Sequence, residues 1–575
     1  MNDDKPALTP VEGIKARSNY LRGTLLQSLA DSATGALAED DTHVSKFHGF
    51  YQQDDRDHRE ERRRQMLEPD HQFMIRARVP GGICTPGQWL ALDAIAQKWA
   101  NGTIRLTTRQ AFQLHGVIKS NLKLTISGIN DSLLDTIAAC GDVNRNVMCT
   151  PLPEASDIHF QVCADAQAVS RYLTPHTTAY HEIWLGKERV AGTGGDGPAS
   201  GTAVPDHEPI YGPTYLPRKF KMSFAIPPRN DVDVYAHDLS FIAIVEGNVL
   251  IGYNVAVGGG MGATHGDPAT YPRLADVIGF CTREQVLTVS EAIVTIQRDY
   301  GDRSSRKHAR LKYTLDDNGL DWLHVQFEAR TGFRLAAQKS FEFTHNGDRL
   351  GWQQTSDGLW HLGLFIENGR VADRAGATQL TGLREIARIL QGELRLTPNQ
   401  NVVISGVKDA DREAIDQLVQ QHGLDSWNQL SALRLHSMAC VGFPTCGLSM
   451  AESERYLPEL VGRIEALLET HGIAEQAITI RMTGCPNGCA RPYLAEIGLV
   501  GKGPGLYNLH LGAAFNGSRL NTLYRESVQE ADILEILAEM FAHYAATRKD
   551  AETFGNFLHR TGVINARIDP QESEQ

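Results

Sequence analysis

No window of about 18 apolar residues occurs in this chain, which excludes a membrane-spanning helix. Basic charge is not in excess either. Against 69 Asp and Glu stand 56 Lys and Arg, a formal net charge of −13, which argues against a general nucleic-acid-binding role. Cysteine is sparse, nine in 575 residues, and the first 30 residues mix Asp, Lys and Arg with no apolar core. The expectation is a cytoplasmic chain with reduced thiols and no disulfide framework. A dinucleotide fingerprint is missing as well. Gly258-Gly259-Gly260-Met261-Gly262 lacks the spacing and the following acidic residue, and reads as a tight backbone turn. The composition, 42% hydrophobic and 22% charged, suits a globular chain of about three or four domains.

Four of the nine cysteines are grouped. Cys440 and Cys446 have five residues between them, Cys485 and Cys489 have three, and 38 residues separate the pairs. Thiolates in two close pairs select zinc or an iron–sulfur cluster, and the pair spacings argue against zinc. In Cys485-Pro486-Asn487-Gly488-Cys489 the Pro and Gly make a tight turn that aims both sulfurs at one point. The remaining five, Cys84, Cys140, Cys149, Cys163 and Cys281, are scattered singly.

The chain also repeats itself. Gly102–Val117 (GTIRLTTRQAFQLHGV) and Gly392–Val407 (GELRLTPNQNVVISGV) align without gaps at an offset of 290. A helix precedes each copy. Thr85-Pro86 supplies an N-cap and first-turn pair, with Trp89, Leu92, Ile95 and Trp99 at helical period, and Leu383, Ile386 and Leu390 do the same before Gly392. Each copy reads helix, glycine stop, strand, turn, strand, so a pseudo-symmetric α+β core with a cleft between halves is expected. A weaker echo relates Lys221–Asp231 (KMSFAIPPRND) to Ile478–Cys489 (ITIRMTGCPNGC), which puts the second cysteine pair at a strand end. The first copy is expected to present different, basic chemistry there.

Basic residues recur near these elements: Arg76 and Arg78, Arg105 and Arg109, Arg145, and Arg218, Lys219 and Lys221 of LPRKFK. Alternation places Lys219 and Lys221 on one face, which is unfavourable unless an anion meets them. Residues 1–45 read as a solvated tail, the Gln52–Gln65 run (QQDDRDHREERRRQ) as an exposed or docking segment, and Gly192–Asp206 as a surface loop. His71, His237 and His510 read as satisfied structural histidines.

The two cysteine pairs, the duplicated RLT elements, NRNV and LPRKFK together resemble the siroheme-containing sulfite and nitrite reductase family along nearly the whole chain. The KFHGFYQQDDRD stretch is similar to its NADPH-dependent assimilatory sulfite-reducing subgroup. The resemblance implies three mixed α+β domains with pseudo-twofold symmetry around a central site. Cys440, Cys446, Cys485 and Cys489 would hold a [4Fe–4S] cluster, with Cys489 bridging to siroheme. Arg76, Arg145, Lys219 and Lys221 would bind substrate. Arg105 and Arg109 would take siroheme carboxylates, with Gln113 and His115 lining that region. The implied divisions are a tail over 1–65, half-repeats over 66–140 and 341–425, a siroheme and substrate domain over 141–340, and a cluster domain over 426–575. The implied reaction is six-electron reduction of sulfite, with electrons from a separate NADPH-oxidising FAD/FMN flavoprotein. Siroheme-based nitrite reduction and a non-catalytic iron–sulfur carrier are the rival readings. In nitrite-reducing members the position matching Lys221 is typically Asn, so Lys here favours sulfite.

Overall fold

The computed structural model describes residues 7–153, 156–186 and 206–565. Residues 192–205 of the expected surface loop lie outside the described residues. Among those described, no helix is long and apolar enough to cross a membrane.

Four five-stranded sheets form two matched pairs, the α+β architecture expected from the repeats. The first repeat sheet runs in the order Phe50–Asp54, His71–Ala77, Phe112–Val117, Ile104–Leu106, Arg370–Val371. The second runs Gly351–Gln354, Trp360–Leu364, Val402–Val407, Glu393–Leu396, Ile83–Cys84. The last strand of each comes from the other half. Arg370 pairs with Arg105, and Ile83 pairs with Arg395. Glycine permits the crossings. Gly82 and Gly369 have φ of 77° and 73°, and a Cβ would meet Leu396 O at 2.6 Å or Leu106 O at 2.2 Å. At the same dyad Gln110 and Gln400 close equivalent turns at positive φ, and Gln110 Nε2 donates to Leu396 O at 2.8 Å.

The helices behave as their sequences dictate. Pro86–Trp99 begins with a capping box in which Thr85 accepts from Gln88 N, a contact worth about 1 kcal/mol. Trp89 and Leu92 are fully buried, each worth roughly 2–3 kcal/mol in apolar burial. The helix packs on its counterpart Gln379–Ile389, and Arg384 pairs with Asp93 across the contact.

The second pair of sheets is mixed. Met148–Cys149, Met222–Ala225 and Leu239–Glu246 run parallel, followed by antiparallel Val249–Val257 and Asp276–Cys281. Ser437–Ala439, Ile480–Thr483, Ile497–Gly503, Leu506–Leu511 and Thr522–Val528 repeat that pattern strand for strand. The echo between 221–231 and 478–489 is thus a shared sheet topology. LPRKFK is mostly not strand: only Phe220 makes a bridge, to Asn144, before the strand opens at Met222.

The N-terminal residues depart from expectation. Rather than a solvated tail, residues 7–49 pack into the core and lead into the edge strand Phe50–Asp54 of the first repeat sheet. Ile14, Leu21, Leu25, Leu37, Val44, Phe47 and Phe50 enter the main core. Their spacing is irregular, and the intervening charges are themselves buried in pairs. Lys15 Nζ meets Glu12 at 2.5 Å and donates to Leu216 O at 2.7 Å. His48 accepts from Trp184 Nε1 at 2.9 Å, and burial pushes it down to about 4, so it stays neutral. Of the charged run, Gln52–Asp54 is strand and Arg59–Arg64 is an exposed helix.

Candidate active site

The Cys485–Cys489 turn leaves the strand Ile480–Thr483 at the junction of the halves. It is braced by the glycine-rich loop, a tight turn with Gly258 at φ 90°. Ala263 N donates to Pro486 O at 2.9 Å, and Lys312 Nζ holds Gly260 O at 3.0 Å and Gly262 O at 2.8 Å. The Cys440–Cys446 loop follows the neighbouring strand Ser437–Ala439. Parallel pairing of the two strands brings the cysteine pairs face to face. The four sulfurs lie within electrostatic reach of one another. Burial pushes Cys446 and Cys485 up to about 12, so binding a metal or cluster there would require expelling their protons. Gly484 N already points at Cys440 Sγ (3.3 Å) and Asn487 Nδ2 at Cys485 Sγ (3.4 Å), the N–H···S contacts a bound cluster uses. Cys489 alone of the four is exposed.

Three basic side chains, Arg76, Lys219 and Lys221, lie within electrostatic reach of Cys489. Arg76 Nη1 lies 3.0 Å from Cys140 Sγ and 3.4 Å from Ala139 O, and Arg145 Nη1 shares that carbonyl at 3.2 Å. Among the described residues no hydrogen bond or ion pair joins the Lys219 or Lys221 ammonium to another side chain. Burial lowers Lys219 to about 7, with Arg218 adding to the effect, and lowers Lys221 further in the same direction. Arg109 is also lowered by burial and by Arg491 and Arg145. Its Nη2 donates to Met222 O at 3.0 Å, while Nε is buried without a partner. Both ring nitrogens of His115 are likewise buried and unpartnered, and burial with Arg370 and Arg105 keeps the ring neutral. Unpaired buried cations and orphaned donors in one place fit a polycarboxylate tetrapyrrole.

Arg105 and Gln113 are differently placed. Arg105 Nε meets Glu454 Oε2 at 2.8 Å, Nη1 meets Gln113 Oε1 at 3.2 Å, and Nη2 donates to Ala439 O at 2.9 Å. Both side chains thus back the strand before Cys440, where Glu454, 349 residues downstream, also meets the guanidinium. His237 accepts its structural role, with Nε2 2.9 Å from Val232 O. His510 stacks edge-on with Tyr493 and is lowered to about 4 by burial.

Several participants carried no sequence signal. Cys140 and Tyr51 face Arg76. Arg56, from the charged run, clamps the Cys446 loop: its Nη1 donates to Ser449 O at 2.6 Å and its guanidinium lies 4.3 Å from the Phe443 ring centroid. At the symmetry-related place in the first mixed sheet the chemistry is not basic. Thr150 Oγ1 stands where Cys440 Sγ stands, accepting from Ile226 N at 3.1 Å and meeting Asp231 at 3.0 Å.

Comparison with known proteins agrees with this geometry. The profile described as "Nitrite/Sulfite reductase ferredoxin-like half domain" matches residues 64–130 and 352–422, and "Nitrite and sulphite reductase 4Fe-4S domain" matches 164–335. The chain is 57% identical over 574 residues to a Myxococcus xanthus protein named sulfite reductase [NADPH] hemoprotein beta-component, with 100% of both covered. A protein of that name from Shouchella clausii is 55% identical, with 97% of this chain and 96% of that one covered. Mycobacterium tuberculosis NirA shares the fold at a TM-score of 0.76 and 24% identity, with 97% of each chain covered. The duplicated half-domains, the paired cysteines and the full-length identity lead to one conclusion: the chain belongs to the nitrite and sulphite reductase family.

Proposed function

We propose that this chain is the hemoprotein subunit of an assimilatory NADPH-dependent sulfite reductase, reducing sulfite to sulfide at a siroheme coupled to a [4Fe–4S] cluster. The observation that carries the reading is Cys489, the exposed sulfur of the four, within electrostatic reach of Arg76, Lys219 and Lys221. Cys440, Cys446, Cys485 and Cys489 would hold the cluster, and Arg109 and His115 would meet the siroheme. When bound, that pair supplies the electrons and the iron at which sulfur is reduced. The chain's own residues do the rest. Arg76, Arg145, Lys219 and Lys221 bind a nearly dianionic oxyanion and stabilise charge on its oxygens in a water-poor site. The lysine ammoniums are suited to hand protons to departing oxygens, since burial has already weakened their hold. The test is an absorption spectrum with an iron and labile-sulfide assay, then sulfide production from sulfite with reduced viologen. A protein with the cluster but no tetrapyrrole band would be an electron carrier.

The depressed Lys219 gives a pH prediction. Its ammonium is charged below about 7 and lost above it, so KM for sulfite should climb as pH rises through that value, toward tenfold per unit at most. Lys219→Arg keeps its charge throughout and should flatten the climb. Identical KM profiles for the two proteins from pH 6 to 9 would remove Lys219 from substrate binding.

Electrons would arrive from a flavoprotein subunit in the cytoplasm. Deleting residues 1–65 cannot test its docking, because that deletion also removes a strand and the core anchors. The exposed helix Arg59–Arg64 is the better target: Arg56 ties its start to the Cys446 loop, and the Arg63 and Arg64 side chains are 81% and 77% exposed. Arg63→Glu with Arg64→Glu should cut NADPH-linked turnover by about tenfold at low salt and leave viologen-linked turnover unchanged. Equal NADPH-linked rates would place docking elsewhere.

A further inference from the structure

A second group of soft ligands lies outside the site described above. Cys149 ends the strand Met148–Cys149, and His159 and Cys163 sit one turn apart on the helix Ser156–Tyr172. All three are buried. Cys163 Sγ is 3.4 Å from Cys149 Sγ and 3.7 and 3.8 Å from the two ring nitrogens of His159. The three donor atoms lie within 4.8 Å of one another. Tetrahedral zinc, with Zn–S of about 2.3 Å and Zn–N of about 2.0 Å, has S···S edges of about 3.8 Å and S···N edges of about 3.6 Å. The Cys163–Cys149 and Cys163–His159 separations match those edges to within a few tenths of an ångström, before any ion is placed, and the Cys149–His159 pair lies within 4.8 Å.

We propose that Cys149, His159 and Cys163 form a structural zinc site. His159 Nε2 lies 2.6 Å from Thr150 O, and donating there leaves Nδ1 as the metal-facing nitrogen. Arg395 Nη1 now stands 2.9 Å from that Nδ1. It has Pro151 O at 3.2 Å and the Glu393 carboxylate as alternative partners once the ion is bound. Charge then balances: two thiolates neutralise the zinc, and Glu393 neutralises Arg395, so no net charge is buried. Loading releases the two thiol protons.

The position gives the ion a purpose. Cys149 N and O both bond the side chain of Gln110, at 2.9 and 2.8 Å, and Gln110 reaches Leu396 O in the other half. Zinc would therefore lock a helix to the strand end on which the dyad contact rests. Two neutral thiols beside a neutral imidazole are the competing state of the same residues, and metal content separates the two.

The holoenzyme should be purified from zinc-supplemented culture through a chelator wash and analysed for metals and by zinc X-ray absorption. About one zinc per chain is expected, beyond the iron, with two sulfurs near 2.3 Å and a nitrogen in its shell. Cys163→Ser should lower zinc at least about tenfold while the siroheme band persists. Cys446→Ser should leave zinc in place. Wild-type protein that holds less than about 0.1 zinc per chain after incubation with excess zinc overturns the proposal. So does a shell of four sulfurs, which would mean zinc in the cluster's place. Both readings use the wild-type protein and stand even if the variants fail to fold.

Discussion

Cys489→Ser is expected to yield a folded chain in which sulfite reduction falls by at least about three orders of magnitude, some 4 kcal/mol of barrier. The residue lies outside the apolar cores, at the exposed tip of a turn held by the glycine-rich loop, Ala263 and Lys312, so folding does not depend on its sulfur. On the proposed assignment, its sulfur would join the cluster to the iron that meets substrate. The loss should therefore appear in sulfide production with a viologen donor, and in the disappearance of magnetic coupling between the two centres by electron paramagnetic resonance. Thermal unfolding of the apo chain should be nearly unchanged. Sulfide production near the wild-type rate would remove Cys489 from the bridge.

Lys221→Asn is expected to lower kcat/KM for sulfite by about 1.5–3 kcal/mol, roughly 10–150-fold, and that for nitrite by less. Burial, with repulsion from Lys219, Arg109 and Arg310, holds the Lys221 ammonium lowered. Such a position is tolerable only if an anion compensates it, and a nearly dianionic substrate compensates more than a monoanion does. Asn preserves hydrogen bonding and removes the charge, so the variant isolates the Coulomb contribution. An unchanged sulfite-to-nitrite ratio would show that selectivity is set elsewhere.

The parts of the site that could be read from the chain were those whose geometry is local. Cysteine spacing within one turn and the Thr85-Pro86 cap each involve a few consecutive residues. The duplicated RLT elements were legible because a repeat is a comparison of the chain with itself. The strands Ile83–Cys84 and Arg370–Val371 were not: two residues carry no periodicity, and their partners lie in the opposite half. Residues 7–49 looked like a tail because their anchors are irregularly spaced and their charges, such as Glu12 and Lys15, are buried in pairs that sequence does not reveal. The Arg105–Glu454 pair was not legible, because nothing near Arg105 in sequence announces a partner 349 residues downstream. His159 and Cys163 were passed over for a related reason. Their third member, Cys149, belongs to a strand that meets the helix only in the folded molecule.

The exchanged strands bear on how the chain is made. The sheet edge at Ile104–Leu106 waits for Arg370–Val371, which leaves the ribosome more than 260 residues later. At roughly 5–20 residues per second that is an interval of about 13–50 s during which a buried edge strand is open to other chains. The same exchange forbids either half from closing its sheet alone. A nascent chain stalled anywhere between Leu106 and Arg370 is therefore a substrate for chaperones or for aggregation, whatever the state of its cofactors.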